Sequence, residues 1–220
     1  QRMSRGLGDV YKRQILELLV VITIVAIISA VAYPNFSNWQ QDRELRAAME
    51  KAATMLSSVN TLSQRGNYPF VQFRVTPNGT SSTKFVSKGM DATSLSIKLN
   101  NAQTIECNTS SGSYWDNNQV DETTKKISTH ISKDGAVCFS KDGSYFKAHG
   151  TLKNNLNVTV ENRSTNQYLI LCTTSNASNG GKCPLDQGGG LEKPAYLVEW
   201  TRFGNISKFK WSGSDWTRQN

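Results

Sequence analysis

Residues 15–33, Ile-Leu-Glu-Leu-Leu-Val-Val-Ile-Thr-Ile-Val-Ala-Ile-Ile-Ser-Ala-Val-Ala-Tyr, followed by Pro34, leave this chain few ways to fold. The run is apolar on every side, so as a helix it has no face to turn toward water. At ~1.5 Å per residue it is about 28 Å long, close to a hydrocarbon core of ~30 Å. A buried core helix usually keeps one polar face, and a signal-peptide apolar region is shorter, ~7–15 residues, with small residues at a cleavage site. The run is therefore read as a membrane-inserting helix, with the core helix and the signal peptide as alternatives. Its one charge is Glu17. A lone carboxylate in hydrocarbon costs at least ~2.5 kcal/mol, so Glu17 either lies at the interface in contact with water or meets a cation.

These residues also carry a resemblance. Leu16-Glu17-Leu18-Leu19-Val20-Val21-Ile22, with Ala32-Tyr33-Pro34-Asn35-Phe36 further on, resembles the N-terminal segment of type IV pilins and type II secretion pseudopilins. In that family a Gly-Phe-Thr precedes the apolar run, a prepilin peptidase cuts after the Gly, and the new N-terminus is methylated. Glu17 and Pro34 keep the family's spacing of glutamate and proline. The resemblance implies that Glu17 neutralises the N-terminal amine of an adjacent subunit during filament assembly. It also implies a bacterial inner-membrane, single-pass protein with a periplasmic domain, later drawn into a pilus or pseudopilus.

The residues before the run depart from the pattern. Lys12-Arg13-Gln14 stand where the family has Gly-Phe-Thr, so cleavage and methylation do not transfer to this chain as written. Met3 to Gln14 resembles translated sequencing adapter joined to the gene, and it is set aside from the fold reasoning. Read otherwise, residues 1–14 are a short basic leader, which suits a positive-inside anchor.

Beyond Pro34 the pattern changes. Leu45, Met49, Ala52, Leu56 and Val59 recur at spacings of four and three, one stripe on a helix. Asp42 with Arg46 and Arg46 with Glu50 place opposite charges four apart on the outer face. The spacing predicts a helix from about Phe36 to Ser63, ending near Gly66, with Pro34 kinking it rather than stopping it. The expected organisation is a hydrophobic half at 15–34, an amphipathic half of the same helix at 35–66, and a β-rich domain at 67–220. The fold class is α+β, pilin-like, a long helix packed on antiparallel sheet.

Within the domain, residues 68–76 alternate as a first strand, and Pro77-Asn78-Gly79 reads as a turn. Phe85-Val86, Leu95 to Leu99 and Thr104 to Cys107 are short strand candidates, and polar Ser110 to Thr124 reads as a loop anchored by Tyr114-Trp115. Ser-Lys-Asp-Gly occurs at 132–135 and 140–143, and each Asp-Gly signals a hairpin. Strands are expected at Ala136–Phe139, Ser144–Lys147, Leu156–Val160 and Tyr168–Cys172. Gly188-Gly-Gly190 is a flexible break. A last hairpin runs Ala195–Trp200 and Ile206–Trp211 across Phe203-Gly204-Asn205, leaving a polar tail at 212–220. Ser63-Gln-Arg-Gly-Asn-Tyr-Pro-Phe-Val and the final hairpin resemble the GspH/FimT-like minor pilins, some of which bind DNA through a Gly-Arg-x-Arg turn. Here the turn is Gly204-Asn205-Ile206-Ser207-Lys208, without the arginines.

The rest is bounded by composition. Formal charge is +8, of which residues 1–14 hold +3. The excess on the body is mild and permits an acidic or nucleic-acid partner without arguing for one. Cys107, Cys138, Cys172 and Cys183 form no CxxC, and only His130 and His149 could join them as soft ligands, so no metal site or other cofactor is expected. Two disulfides in an oxidising compartment fit better than four free thiols. Of three connectivities, Cys107–Cys138 with Cys172–Cys183 is favoured, because the second closes a Gly- and Asn-rich loop. No catalytic constellation is visible, and both histidines are expected to be exposed. One patch interleaves cations with aromatics: Trp200, Arg202, Lys208, Phe209, Lys210, Trp211, Trp216 and Arg218. Such alternation can bind single-stranded nucleic acid. An edge hairpin with its aromatics in the core and its cations in water has the same sequence.

The expected function is therefore a structural minor pilin or pseudopilin, not an enzyme, whose partners are other pilins, the inner membrane before assembly, and the prepilin peptidase for the native precursor. The alternatives are a pilus-associated DNA- or surface-binding subunit using Arg202, Lys208, Lys210, Trp211 and Arg218, or a major pilin.

Overall fold

The computed structural model describes residues 7–66, 68–78, 82–101, 107, 115, 120–131, 133–141, 146–150, 158–160, 163–165, 167–177, 181–185, 188, 190–201 and 203–219. The chain divides into two compact units, Gln1–Asp42 and Arg43–Asn220. The first helix, α1 (Leu7–Gln64), supplies the described part of the first unit and opens the second. It runs through Pro34 without ending there.

In the second unit, α1 buries the predicted stripe. Leu45, Met49, Ala52, Leu56 and Val59 are each 0–1% exposed. Ala48, Ala53 and Met55 widen the stripe to the ~100° that a helix on a sheet needs. The helix stops where its sequence allows: Gly66 takes φ +79°, and its N–H bonds the Ser63 carbonyl at 3.0 Å.

Twelve strands are described: β1 (Phe70–Asn78), β2 (Ser82–Met90), β3 (Val120–Lys125), β4 (Ile127–Thr129), β5 (Gly135–Ser140), β6 (Phe146–Gly150), β7 (Val158–Val160), β8 (Arg163–Thr165), β9 (Tyr168–Thr173), β10 (Ala195–Trp200), β11 (Ile206–Trp211) and β12 (Trp216–Gln219). They form one antiparallel sheet in the order β3-β2-β1-β5-β6, a second in the order β12-β11-β10-β9-β4, and a small β7-β8 ladder. One residue separates β3 of the first sheet from β4 of the second. Lys126, between β3 and β4, takes φ 58°, a left-handed turn that a non-glycine residue rarely adopts.

Period-two alternation gives each large sheet two apolar faces. Val71, Phe73, Val75, Val137 and Phe139 of the first sheet meet the α1 stripe, as do Leu169, Leu171, Tyr196, Val198 and Trp200 of the second. On the far face of the first sheet, Ala136 and Cys138 pack with Met90, Cys107 and Trp115. On the far face of the second, Ile170, Leu197, Phe209, Trp211 and Trp216 pack with Cys183 and Leu191. Each far face is tied to its cover by a disulfide, Cys107–Cys138 on β5 and Cys172–Cys183 on β9. These are the pairs that the sequence favoured.

Several expectations are corrected. Leu95 to Leu99 is not a strand but part of α2 (Ala92–Asn100), started by Asp91, whose side chain accepts the Ser94 N–H at 2.6 Å. As a helix it scatters the alternating residues, so Ile97 and Leu99 are exposed and Leu95 is packed. The loop expected at Ser110 to Thr124 ends in β3, an edge strand so charged that alternation could not reveal it. Lys84 pairs with Asp121 at 2.8 Å and Lys51 with Glu122 at 2.7 Å. Pro77 and Asn78 close β1 rather than turn it. The first Asp-Gly makes no hairpin. It joins β4 to β5, which lie in different sheets, and Asp134 there holds Arg74 of β1. The polar tail contains β12, paired with β11. The strand expected at Thr104 to Cys107 lies, except for Cys107, outside the described residues, as do Tyr114 and the Asp142-Gly143 turn.

Candidate functional site

Two places carry the candidate residues, and they differ in kind. In the first unit, eleven Ile, Leu and Val side chains between Ile15 and Ile28 are 46–65% exposed. Tyr11–Ala30 is long and apolar enough to cross a membrane, and none of that window is buried. Helical geometry satisfies its backbone internally, and the Thr23 hydroxyl donates to the Leu19 carbonyl at 2.7 Å, leaving that hydroxyl partnered within the helix. Glu17 Oε1 lies 3.4 Å from Arg13 Nε one turn earlier, both well exposed. The carboxylate therefore meets a cation of its own chain here.

The second place is the C-terminal hairpin. Its aromatics point away from water: Trp200 packs among the α1 core, and Phe209, Trp211 and Trp216 lie in the cluster on the far face. Trp211 donates its indole N–H to the Leu191 carbonyl at 3.1 Å and packs against Trp216 with ring centroids 5.2 Å apart. Trp211 is thus a core residue and presents no ring to a base. Lys208 faces α1, where its amine donates to both Glu50 oxygens at 3.0 and 3.1 Å. The Lys210 amine sits 5.5 Å from the Tyr196 ring centroid, a cation–π contact. Arg218 is exposed on β12, and Arg202 lies outside the described residues. The interleaved pattern is a strand with one apolar face, and its cations are engaged with the helix and an inward tyrosine.

What the sequence missed is how this hairpin is held to α1. Asn60 Nδ2 donates to the Phe203 carbonyl at 3.3 Å. Gly204 beside it has φ +79°, and a Cβ there would lie 2.0 Å from Asn60 Nδ2, so only glycine fits. Between the helix and the hairpin runs an open groove of about 710 Å³ lined by Thr54, Ser57, Ser58, Thr61, Arg65 and Asn205. No periodic signal marks it, because it is the polar flank of the stripe.

His130, expected to be exposed, is half-buried between β4 and β9. Its Nδ1 accepts the Ile170 N–H at 3.1 Å, its own N–H bonds the Ile170 carbonyl at 3.2 Å, and its ring stacks on Tyr168 with centroids 5.0 Å apart. The imidazole extends the strand ladder where a carbonyl would otherwise stand. Burial lowers its pKa from 6.5 to about 4, and burial raises the neighbouring Tyr168 phenol to about 12. Both are neutral at pH 7. The side chain of His149, on β6, lies outside the described residues. Among the described residues, no three His, Cys, Asp or Glu side chains gather as metal ligands.

The fold and these sites define an α+β protein with an apolar N-terminal helix and antiparallel sheets. Comparison with protein-family models, with curated proteins and with solved structures yields no significant match.

Proposed function

We propose that this chain is a structural filament subunit, a minor pilin or pseudopilin and not an enzyme, inserted in the bacterial inner membrane by residues 15–33 before assembly. The observation that carries this reading is the unburied apolar span. Eleven half-exposed aliphatic side chains leave on the order of 10–20 kcal/mol of apolar burial unrealised in water, too much for a free helix to leave uncovered. A bilayer supplies that burial first, and the same helices of neighbouring subunits supply it in the filament. Glu17, beside Arg13 of its own chain, is the charged group in this span, and exchanging that partner for a cation of a neighbouring copy sets the axial register between copies. The resemblance at residues 16–36 supports the same role and adds a prepilin peptidase for the native precursor. The burial of Trp211 and Trp216 and the Glu50 pairing of Lys208 weigh against using the C-terminal hairpin as a nucleic-acid stacking surface.

The test is Glu17→Val in the cell of origin. The variant is expected to keep the thermal transition of its β domain and to fractionate with membranes, yet to be missing from sheared filaments. Wild-type incorporation of the valine form, or wild-type chain recovered in the soluble fraction, overturns the reading.

A further inference from the structure

Beyond the apolar span, the helix turns polar at Ser37, Asn38, Gln40, Gln41 and Asp42, with two exceptions. Phe36 and Trp39, three residues apart and so on one face, are 60% and 55% exposed. Their rings meet each other at 5.8 Å between centroids and 36° between planes. Trp39 is the odd one among five tryptophans, since Trp115, Trp200, Trp211 and Trp216 are 2–6% exposed. Two large aromatics side by side on an otherwise polar stretch suit a surrounding that is apolar on one side and wet on the other.

Their distance along the helix says which surrounding that is. From Leu16 to Phe36 the rise is about 30 Å, the thickness of the hydrocarbon core. Trp39 lies about 4.5 Å further on, in the headgroup layer, where an indole can bury its ring and keep its N–H hydrated. We propose that the Phe36–Trp39 pair is a lipid-interface anchor that fixes how deep the span sits in the bilayer. The anchor rests on the membrane-inserted reading above, and adds to it a specific boundary and a specific pair of side chains. Phe36 lies at the ends of the acyl chains nearest the headgroups, and Trp39 among the glycerol and carbonyl groups. Arg13 and Glu17 mark depth at the opposite end of the span, and the pair marks it at the end nearer the polar stretch.

The full-length chain in phosphatidylcholine–phosphatidylglycerol vesicles tests this with brominated lipids. The Trp39 signal is isolated as the difference between wild type and Trp39→Phe. Bromines near the headgroup end of the chain are expected to quench it at least two-fold more than bromines near the bilayer centre, with aqueous iodide quenching it weakly. Val21→Trp in the Trp39→Phe background reports on the span itself and is expected to show the opposite depth preference. If the residue 21 probe is quenched from the bilayer centre while Trp39 responds to iodide alone, the anchor is overturned and the span stands. If bromines at neither depth quench either probe, the membrane-inserted reading falls, and the anchor with it.

Discussion

The two halves of α1 are made of similar aliphatic residues and meet opposite fates. Between Ile15 and Ile28 every large aliphatic side chain is exposed, while Leu45, Met49, Leu56 and Val59 are sealed. The difference lies in arrangement. The first half is apolar all round, so no single sheet face could cover it. The second half confines its apolar groups to one stripe, which the inward faces of two sheets bury completely. A helix can thus serve as a foundation for a domain along one part of its length and be reserved for another environment along the rest.

If that contrast holds, substitutions in the two halves should separate cleanly. Leu56→Ala is expected to lower the stability of the β domain by about 2–5 kcal/mol, since a fully buried side chain leaves a cavity. Denaturant melts followed by tryptophan fluorescence would show it, and a loss below 1 kcal/mol would mean that the stripe is poorly packed. Removing the Cys172–Cys183 bridge by a double serine substitution should cost about 3 kcal/mol, because it frees the cover of the second sheet's far face. That loss would also show that the domain depends on more than the helix.

Acid gives an intermediate effect. The folded state holds His130 neutral down to about pH 4, whereas the unfolded chain protonates it near 6.5. Its contribution is therefore intact above about pH 6.5 and declines as pH falls toward 4, by roughly 3 kcal/mol at most. His130→Gln should flatten that part of the stability–pH profile, and an unchanged slope would remove the assignment. Glu50→Gln, which unpairs Lys208 at the partly exposed flank of the stripe, should cost no more than about 1 kcal/mol. The smallest effect belongs to the other half of the helix. Leu19→Ala should leave domain stability within about 0.5 kcal/mol, while weakening retention in membranes. A large destabilisation from Leu19→Ala would break the comparison, since it would place that residue in a packed core.

Much of this could be read in the residues themselves. The five-residue stripe, the last hairpin and the cysteine pairs follow from period and loop length, which are local properties. The errors came where two local signals competed. At Leu95 to Leu99 the alternation suggested a strand, but the Asp91 cap satisfied a free N–H and set a helix going. At Val120–Lys125 the charges that guard a sheet edge hid the strand, and at Trp216–Gln219 pairing with β11 ordered a stretch too polar to announce itself.

Sequence alone determined that residues 15–33 form an apolar rod and that 45–59 carry a single buried stripe, because helical periodicity depends only on spacing along the chain. Tertiary structure alone decided that the cation–aromatic run would turn its rings inward, that Lys208 would answer Glu50, and that His130 would complete a strand ladder. Those outcomes depend on which distant segments share a face, and a chain that can pair its strands in many orders does not encode that choice in any one window.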